Sequence, residues 1–321
     1  MTNTRLSDVI EPHLFAKYMT RETAERARIF QAGLMQSNPN IAAFLAGGGR
    51  TTSLPYWTDL SGTENISSDD ESVLAAPTKV TATKDIAIRH NRNKAWSASD
   101  LVETLAGDDP LAMVARRVGT YWANQLEKMM VSTIKGLVAD NIAANAGDMV
   151  KDATGSTITA ELIIDAAATM GDADDRLAAI VMHSKTYARL AKLNLIDFIP
   201  DSDGKVRFPS YLGYQVIRDD DCFQNGTITH TYLLARDSFA WGEGTPRVPI
   251  EVDRHPAGGN GGGVEELWTR REFCMHPYGY QFVGTIAGMS PTNAELELAT
   301  SWTRVAAERK QVGIACLITT V

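Results

Sequence analysis

Apolar residues recur at every fourth position along one stretch of the chain: Val114, Val118, Trp122, Leu126, Met130, Ile134 and Val138. This spacing puts them on one face of an α-helix, and Tyr121 and Met129 widen the stripe. Asp109 supplies an N-cap, and Pro110 suits the first helical position. The predicted helix runs to about Asn145, near Gly147, and would span roughly 50 Å at about 1.5 Å per residue. Methionines and aromatics at this spacing read as core packing, not as a cofactor site. Nearer the N-terminus, Ala24, Ala27, Phe30 and Leu34 predict a helix over about Arg21 to Met35, capped by Thr20 and stopped at Asn38-Pro39. So short a helix is marginal alone and must dock on something. Gly47-Gly48-Gly49 then breaks the chain, so the first fifty residues form a unit of their own.

Residues 51–95 alternate as strands do, through Leu54, Tyr56, Val80, Ile86 and Ile88, but carry no compact apolar core. Their charges are segregated. From Thr51 to Thr78 there are five acids (Asp59, Glu64, Asp69, Asp70, Glu71) and no Lys or Arg. From Lys79 to Lys94 there are five bases (Lys79, Lys84, Arg89, Arg92, Lys94) against Asp85 alone. Two readings fit: a surface loop with ordinary charge variation, or two arms of opposite charge forming a long hairpin. A lone two-stranded hairpin is barely stable in water, so the second reading requires a neighbour. If that neighbour is another subunit, Arg89 and Arg92 are expected to bridge subunits and to leave the fold of their own subunit unaffected.

After Gly155 the pattern turns mixed α/β. A helix is predicted from Ala160 to Met170, ended by Gly171, then a buried strand over Ala178–Met182 and a helix over Lys185–Leu193. Tyr211–Ile217 and Thr227–Leu234 read as strands, with the turn signal Asn225-Gly226 between them. Val248–Val252 is another strand, and Val264–Gly284 alternates over a long stretch through Leu267, Phe273, Met275, Tyr278, Tyr280 and Phe282. Ser290-Pro291 opens a last helix, where Thr292 and Glu295 form a capping box and Leu296, Ala299, Trp302 and Ala306 make the inner face. Val312–Val321 is a terminal strand.

The 321 residues are 44% hydrophobic and 22% charged, a folded composition with room for about two domain-sized cores. Lys plus Arg is 31 and Asp plus Glu is 39, so 31 − 39 gives −8. That balance argues against a dedicated DNA-binding protein, which needs excess positive charge to release counterions. No run of 18 apolar residues predicts a membrane helix, and Met1–Asp8 has no apolar signal core. Cys222, Cys274 and Cys316 are far apart and odd in number, the pattern of buried thiols in a reducing compartment.

Candidate chemistry is sparse. Gly204-Lys205 is followed by Val206 and has Ile199 where a phosphate loop needs its first glycine. The run Gly258-Gly259-Asn260-Gly261-Gly262-Gly263 reads as a mobile loop tip. Asp201-Ser202-Asp203-Gly204 is a polar turn without the distal glutamate of a calcium loop, and Asp219-Asp220-Asp221 is a solvated strand end. Cys274 and His276 share a strand face, but zinc needs three or four ligands. His183-Ser184 has no accompanying G-x-S-x-G serine. No catalytic, cofactor-binding or metal residue is assigned.

The ordered motifs do resemble a family. They are Tyr18-Met19-Thr20, Gln31-Ala32-Gly33, the run Leu54-Pro55-Tyr56-Trp57-Thr58-Asp59-Leu60-Ser61-Gly62, Trp96-Ser97-Ala98-Ser99-Asp100-Leu101, Gly107-Asp108-Asp109-Pro110 and Tyr211-Leu212-Gly213-Tyr214. In this order they resemble the tailed-bacteriophage major capsid proteins, whose fold is shared with encapsulin shells. The resemblance runs from about Ile10 to the C-terminus. It implies an α+β phage major capsid fold: an N-terminal arm (1–50), an extended β-hairpin loop (51–95), a peripheral domain with a long spine helix (96–149 and 264–289), a mixed α/β axial domain (150–263) and a C-terminal helix and strand packing on the core (290–321). It also implies a structural protein, not an enzyme, without cofactors. Such a protein assembles with itself as pentamers and hexamers of an icosahedral shell, with scaffolding and portal proteins as further partners. The shell encloses double-stranded DNA without sequence-specific binding and without a membrane, in a virion assembled in the host cytoplasm. The net acidity fits a wall that does not stick to packaged DNA. The alternatives are an encapsulin-like compartment or a soluble α/β enzyme with an unrecognised site.

Overall fold

The computed structural model describes residues 32–57, 62–67, 69, 70, 72, 74, 75, 77, 79, 82–102, 110–193, 195–200 and 206–321. Strand β1 (Met35–Ser37) leads to helix α1 (Pro39–Ala46), strands β2 (Thr51–Trp57), β3 (Ala82–Ile88) and β4 (His90–Ser99), and the 35-residue helix α2 (Pro110–Ala144). Then come β5 (Val150–Thr157), α3 (Ala160–Ala168), β6 (Leu177–Met182), α4 (Ser184–Lys192), β7 (Asp197–Pro200), β8 (Val206–Tyr211), β9 (Tyr214–Arg218), β10 (Gln224–Asn225), β11 (Ile228–Ala235), β12 (Phe239–Gly244) and β13 (Ile250–His255). A short turn α5 (Gly258–Gly261) precedes β14 (Val264–Pro277), β15 (Tyr280–Phe282), α6 (Asn293–Leu296), β16 (Trp302–Arg304) and β17 (Ile314–Thr320).

Two main sheets result. The smaller has the order β1-β12-β14-β13, with β4 on the other side of β14. The larger has the order β5-β17-β11-β6-β9-β8-β7, with β10 on β11. Helix α2 joins them. Its first turns pack Val118 and Trp122 on Ile250 and Leu267 of the smaller sheet. Its later turns bury Leu126, Met130, Ile134 and Val138 among Val181, Tyr232, Phe273 and Cys316, which come from both sheets. The periodic stripe is therefore the core of the molecule, and each such side chain contributes about 1.5–3 kcal/mol by leaving water. On the other face of the larger sheet, Ile163 and Ala166 of α3 and Leu190 of α4 pack on Ile180, Leu233 and Leu317. Covered on both faces, β6 and β17 read as nearly continuous apolar runs.

Several expectations need correction. The described end of the predicted helix over Arg21–Met35 is a turn followed by β1, which pairs in parallel with β12; the rest lies outside the described residues. Gly33 has φ 67°, which a continuing helix cannot accept. Asn38-Pro39 does not stop a helix but starts one: the Asn38 side chain accepts from the backbone NH of Asn40 at 2.9 Å and caps α1. The strand expected over Tyr211–Ile217 is a hairpin turning at Leu212 (φ 52°) and Gly213 (φ 83°). The stretch Val264–Gly284 divides at Gly279 (φ 86°) into β14 and β15. The last helix is only Asn293–Leu296. Its capping box forms as expected, but Trp302 then enters β16, paired with β15, and donates its indole NH to the Leu296 carbonyl at 2.8 Å.

Sheet membership runs across positions 263 and 290. Strands β12 and β13, from within 150–263, belong to the smaller sheet with β14. Strand β17, from 290–321, lies inside the larger sheet between β5 and β11.

Candidate functional site

The segment 51–95 is partly the hairpin that its charge pattern suggested. Strands β2 and β3 pair antiparallel from Thr51↔Ile88 to Trp57↔Ala82 and form a sheet of their own. The basic arm leaves this hairpin after Ile88, and β4 runs along β14 instead, from His90↔Phe273 to Ser99↔Val264. Among the described residues the hairpin's core lies at its root: Leu54 and Ala87 pack with Ile41 and Leu45 of α1 and with Ala240 and Cys274 of the smaller sheet. The close seat of α1 depends on Gly242, where a β-carbon would fall 2.5 Å from Ile41 Cγ2. Farther out the described residues are exposed, including the apolar side chains of Ile66 and Leu74.

Two polar contacts lock the root. Asp85 of β3 and His276 of β14 are both buried, with Oδ1 2.6 Å from Nε2. This is a short hydrogen-bond distance between two buried polar groups. Arg89 follows β3 and reaches both neighbours. It ion-pairs with Glu272 of β14 at 2.8 Å. It also donates to the carbonyls of Phe44 and Gly47 at 2.8 and 2.9 Å, and its guanidinium stands 4.8 Å from the Phe44 ring centroid. It thereby satisfies carbonyls at the C-terminus of α1, where positive charge is favoured.

His90 opens β4. It is buried and stacked on Phe273 at 5.5 Å. Burial first, and then the positive fields of Arg92 and His276, push its pKa down to about 3, so it is held neutral. Arg92 donates to the Pro291 carbonyl at 2.5 Å and the Asn293 side chain at 3.2 Å. Arg89 and Arg92 both make contacts within their own subunit, so reversing them is expected to disturb that subunit's fold as well as any contact they make between subunits.

The other candidates take structural roles. His183 caps α4, its Nδ1 accepting from the Lys185 NH at 3.1 Å. Asp219 accepts from the NH of Asp221 at 2.8 Å, and Asp220 from the NH of Ser184 at 3.2 Å, so the triple aspartate shapes the turn after β9. The glycine run joins β13 to β14, with positive φ at Gly259, Asn260, Gly261 and Gly263. Burial raises all three thiols, that of Cys274 to about 12. Among the described residues no group of three or more His, Cys, Asp or Glu could hold a metal. The Asp201–Gly204 turn and Lys205 lie outside them. The root contacts were missed at the level of sequence. Their one visible signal was Asp85, the lone acid in a basic arm.

The described residues thus form two sheets joined by a long helix, with a two-stranded hairpin whose described core lies at its root. A sequence model of the Gp13-like family, described as Major capsid protein 13-like, matches residues 52–198. The major capsid protein of Bacillus phage SPP1 is 36% identical over 314 residues, covering 95% of each chain. Among solved structures, a capsid chain of cyanophage Pam1 superposes with a TM-score of 0.59 at 9% identity, covering 92% of this chain and 93% of that one. A capsid chain of a native GTA particle does so with a TM-score of 0.56 at 13% identity, covering 93% and 91%. The chain belongs to the phage major capsid protein family. It is a structural protein whose copies assemble with one another into the icosahedral capsid of the virion, as the relative at 36% identity indicates. None of its described helices is long and apolar enough to cross a membrane.

Proposed function

We propose that the subunits join as pentamers and hexamers, with the β2–β3 hairpin of each subunit lying across a neighbour. The observation that carries this reading is the hairpin itself: paired strands whose described core lies at the root, where Leu54 and Ala87 are buried, while the described residues farther out are exposed. Such a ribbon gains little stability by itself. Heterologous contacts of this kind close into rings and shells built from one chain. The smaller sheet with the first turns of α2 corresponds to the peripheral unit, and the larger sheet with α3 and α4 to the axial unit around the five-fold and six-fold centres. Scaffolding and portal proteins act as further partners, assembly takes place in the host cytoplasm, and double-stranded DNA is enclosed without sequence-specific binding. A chain at −8 favours that last arrangement, because a mostly acidic wall does not hold DNA tightly. Its structural role requires no catalytic group.

The test is deletion of residues 58–81 with the strands rejoined by a short turn. The shortened chain is expected to keep the helical and strand signals of the wild type in circular dichroism but to sediment as small species. Closed shells formed by the shortened chain at wild-type yield would contradict the reading.

A further inference from the structure

The face of β4 turned toward α2 carries an unresolved charge. Arg92 stands directly opposite Arg271, and His90 directly opposite Phe273. Like charges opposed across a strand pair are unfavourable. Arg271 is buried and pairs with Glu243. Among the described residues Arg92 has no such partner. Its two hydrogen bonds go to neutral acceptors, Pro291 and Asn293, and among the described residues no carboxylate stands at ion-pair distance from it. Glu295 attracts it from farther off, but the Glu295 oxygens accept from Ala287, from the Thr292 NH and from the Thr292 hydroxyl. The Nε of Arg92 is buried without an acceptor, and so are Nε and Nη1 of Arg271 and Nδ1 of His90. Buried cations are normally paired.

Arg92 also lines a cavity of about 110 Å³ between β4, α2 and the loop before α6. Its polar lining is one guanidinium, the three amides of Asn93, Gln125 and Asn293 and the phenol of Tyr121, and no acidic residue borders it among those described. Trp122 and Phe273 give it an apolar wall. Its volume suits a single side chain. A guanidinium with surrounding amide donors in a partly dry pocket is the donor set that recognises a carboxylate.

We propose that this cavity receives the carboxylate of an acidic side chain from a second copy of the chain, supplied by segment 59–71. The proposal rests on the reading that hairpins lie across neighbouring subunits and names where one of them is anchored. Charge complementarity selects the occupant. The segment carries Asp59, Glu64, Asp69, Asp70 and Glu71 and no base. Glu64 and Asp69 are exposed. Asp70 already accepts from Ser72 within its own turn. A carboxylate entering the cavity gives Arg92 its missing counter-ion and offsets the repulsion from Arg271.

The test is a benzophenone amino acid placed at position 64 or 69 of the full chain and irradiated in assembled particles. Cross-links between chains to peptides containing 92–93 or 121–129 are the expected result. Cross-links only within one chain, or only to other surfaces, in normal particles would overturn the proposal while leaving the shell reading intact. A second arm uses Asn93→Asp, which places a carboxylate at the exposed mouth and keeps the Arg92 contacts to Pro291 and Asn293. Particle yield is expected to fall at least tenfold with unchanged melting of the unassembled subunit, and to recover when Glu64→Lys and Asp69→Lys are added. Wild-type yield from Asn93→Asp alone would overturn it. Failure of the wild-type chain to form particles would count against the shell reading instead.

Discussion

Gly136 of α2 and Trp302 of β16 meet with no room for a side chain between them. A β-carbon at Gly136 would lie 2.7 Å from the Trp302 indole nitrogen and 2.0 Å from the Leu296 carbonyl oxygen. The glycine is thus the place where the C-terminal segment crosses the long helix, and it lets the indole reach the Leu296 carbonyl. Gly136→Ala, a change that favours an isolated helix, is expected to destabilise the subunit by about 1–3 kcal/mol or more, because backbone has to move. Urea unfolding of the unassembled subunit measures it. A neutral or stabilising effect would show that the crossing is looser than it stands here.

The Asp85–His276 pair is expected to hold the hairpin root. Removing one partner leaves the other buried without its hydrogen bond, at a cost of about 1–3 kcal/mol. Asp85→Ala should therefore unfold or loosen the root, seen as faster amide exchange in β2 and β3. If the double variant Asp85→Ala, His276→Leu recovers part of the loss, the cost lies in the stranded polar partner. Unchanged exchange in Asp85→Ala would contradict the lock.

Arg89→Glu is expected to damage the fold, not assembly alone. It places a carboxylate against Glu272 and against the α1 carbonyls that Arg89 now satisfies. A lowered melting temperature of the unassembled subunit is the expected outcome. A variant that melts like the wild type but fails to assemble would restore the bridging role suggested by the charge pattern.

Acid is expected to weaken the subunit through two histidines, the buried His90 and the half-buried His230. The pKa of His90 is pushed down from 6.5 to about 3, chiefly by burial, and that of His230 to about 4, again chiefly by burial. Both are neutral in the folded chain, and the unfolded chain takes up their protons first. The stability that they contribute is present above about pH 6.5 and is lost as pH falls toward 4 and 3, with a slope of at most about 1.4 kcal/mol per pH unit for each. Denaturant midpoints between pH 7 and 4.5 should fall, and His90→Gln should flatten the slope. A flat wild-type profile over that range would contradict it.

Local and periodic features were legible in the sequence. The stripe from Val118 to Val138 specified α2, and Thr292 with Glu295 specified the start of α6. What was not legible depends on contacts between distant residues. Nothing near Trp302 in sequence says that Gly136 would admit its indole and end the last helix early. The five bases of 79–94 looked like one arm, yet Arg89 turns to α1 and Arg92 to the loop at 291–293. The Asp85–His276 contact spans 191 residues, beyond any local pattern.

Imaging of the purified, assembled protein by single-particle electron microscopy is the most direct test of the shell and its hairpins. Closed icosahedral particles, with each hairpin density crossing onto an adjacent subunit, are the expected result. Hairpins folded back onto their own subunits, or a protein that stays monomeric or dimeric even with its scaffold, would contradict it.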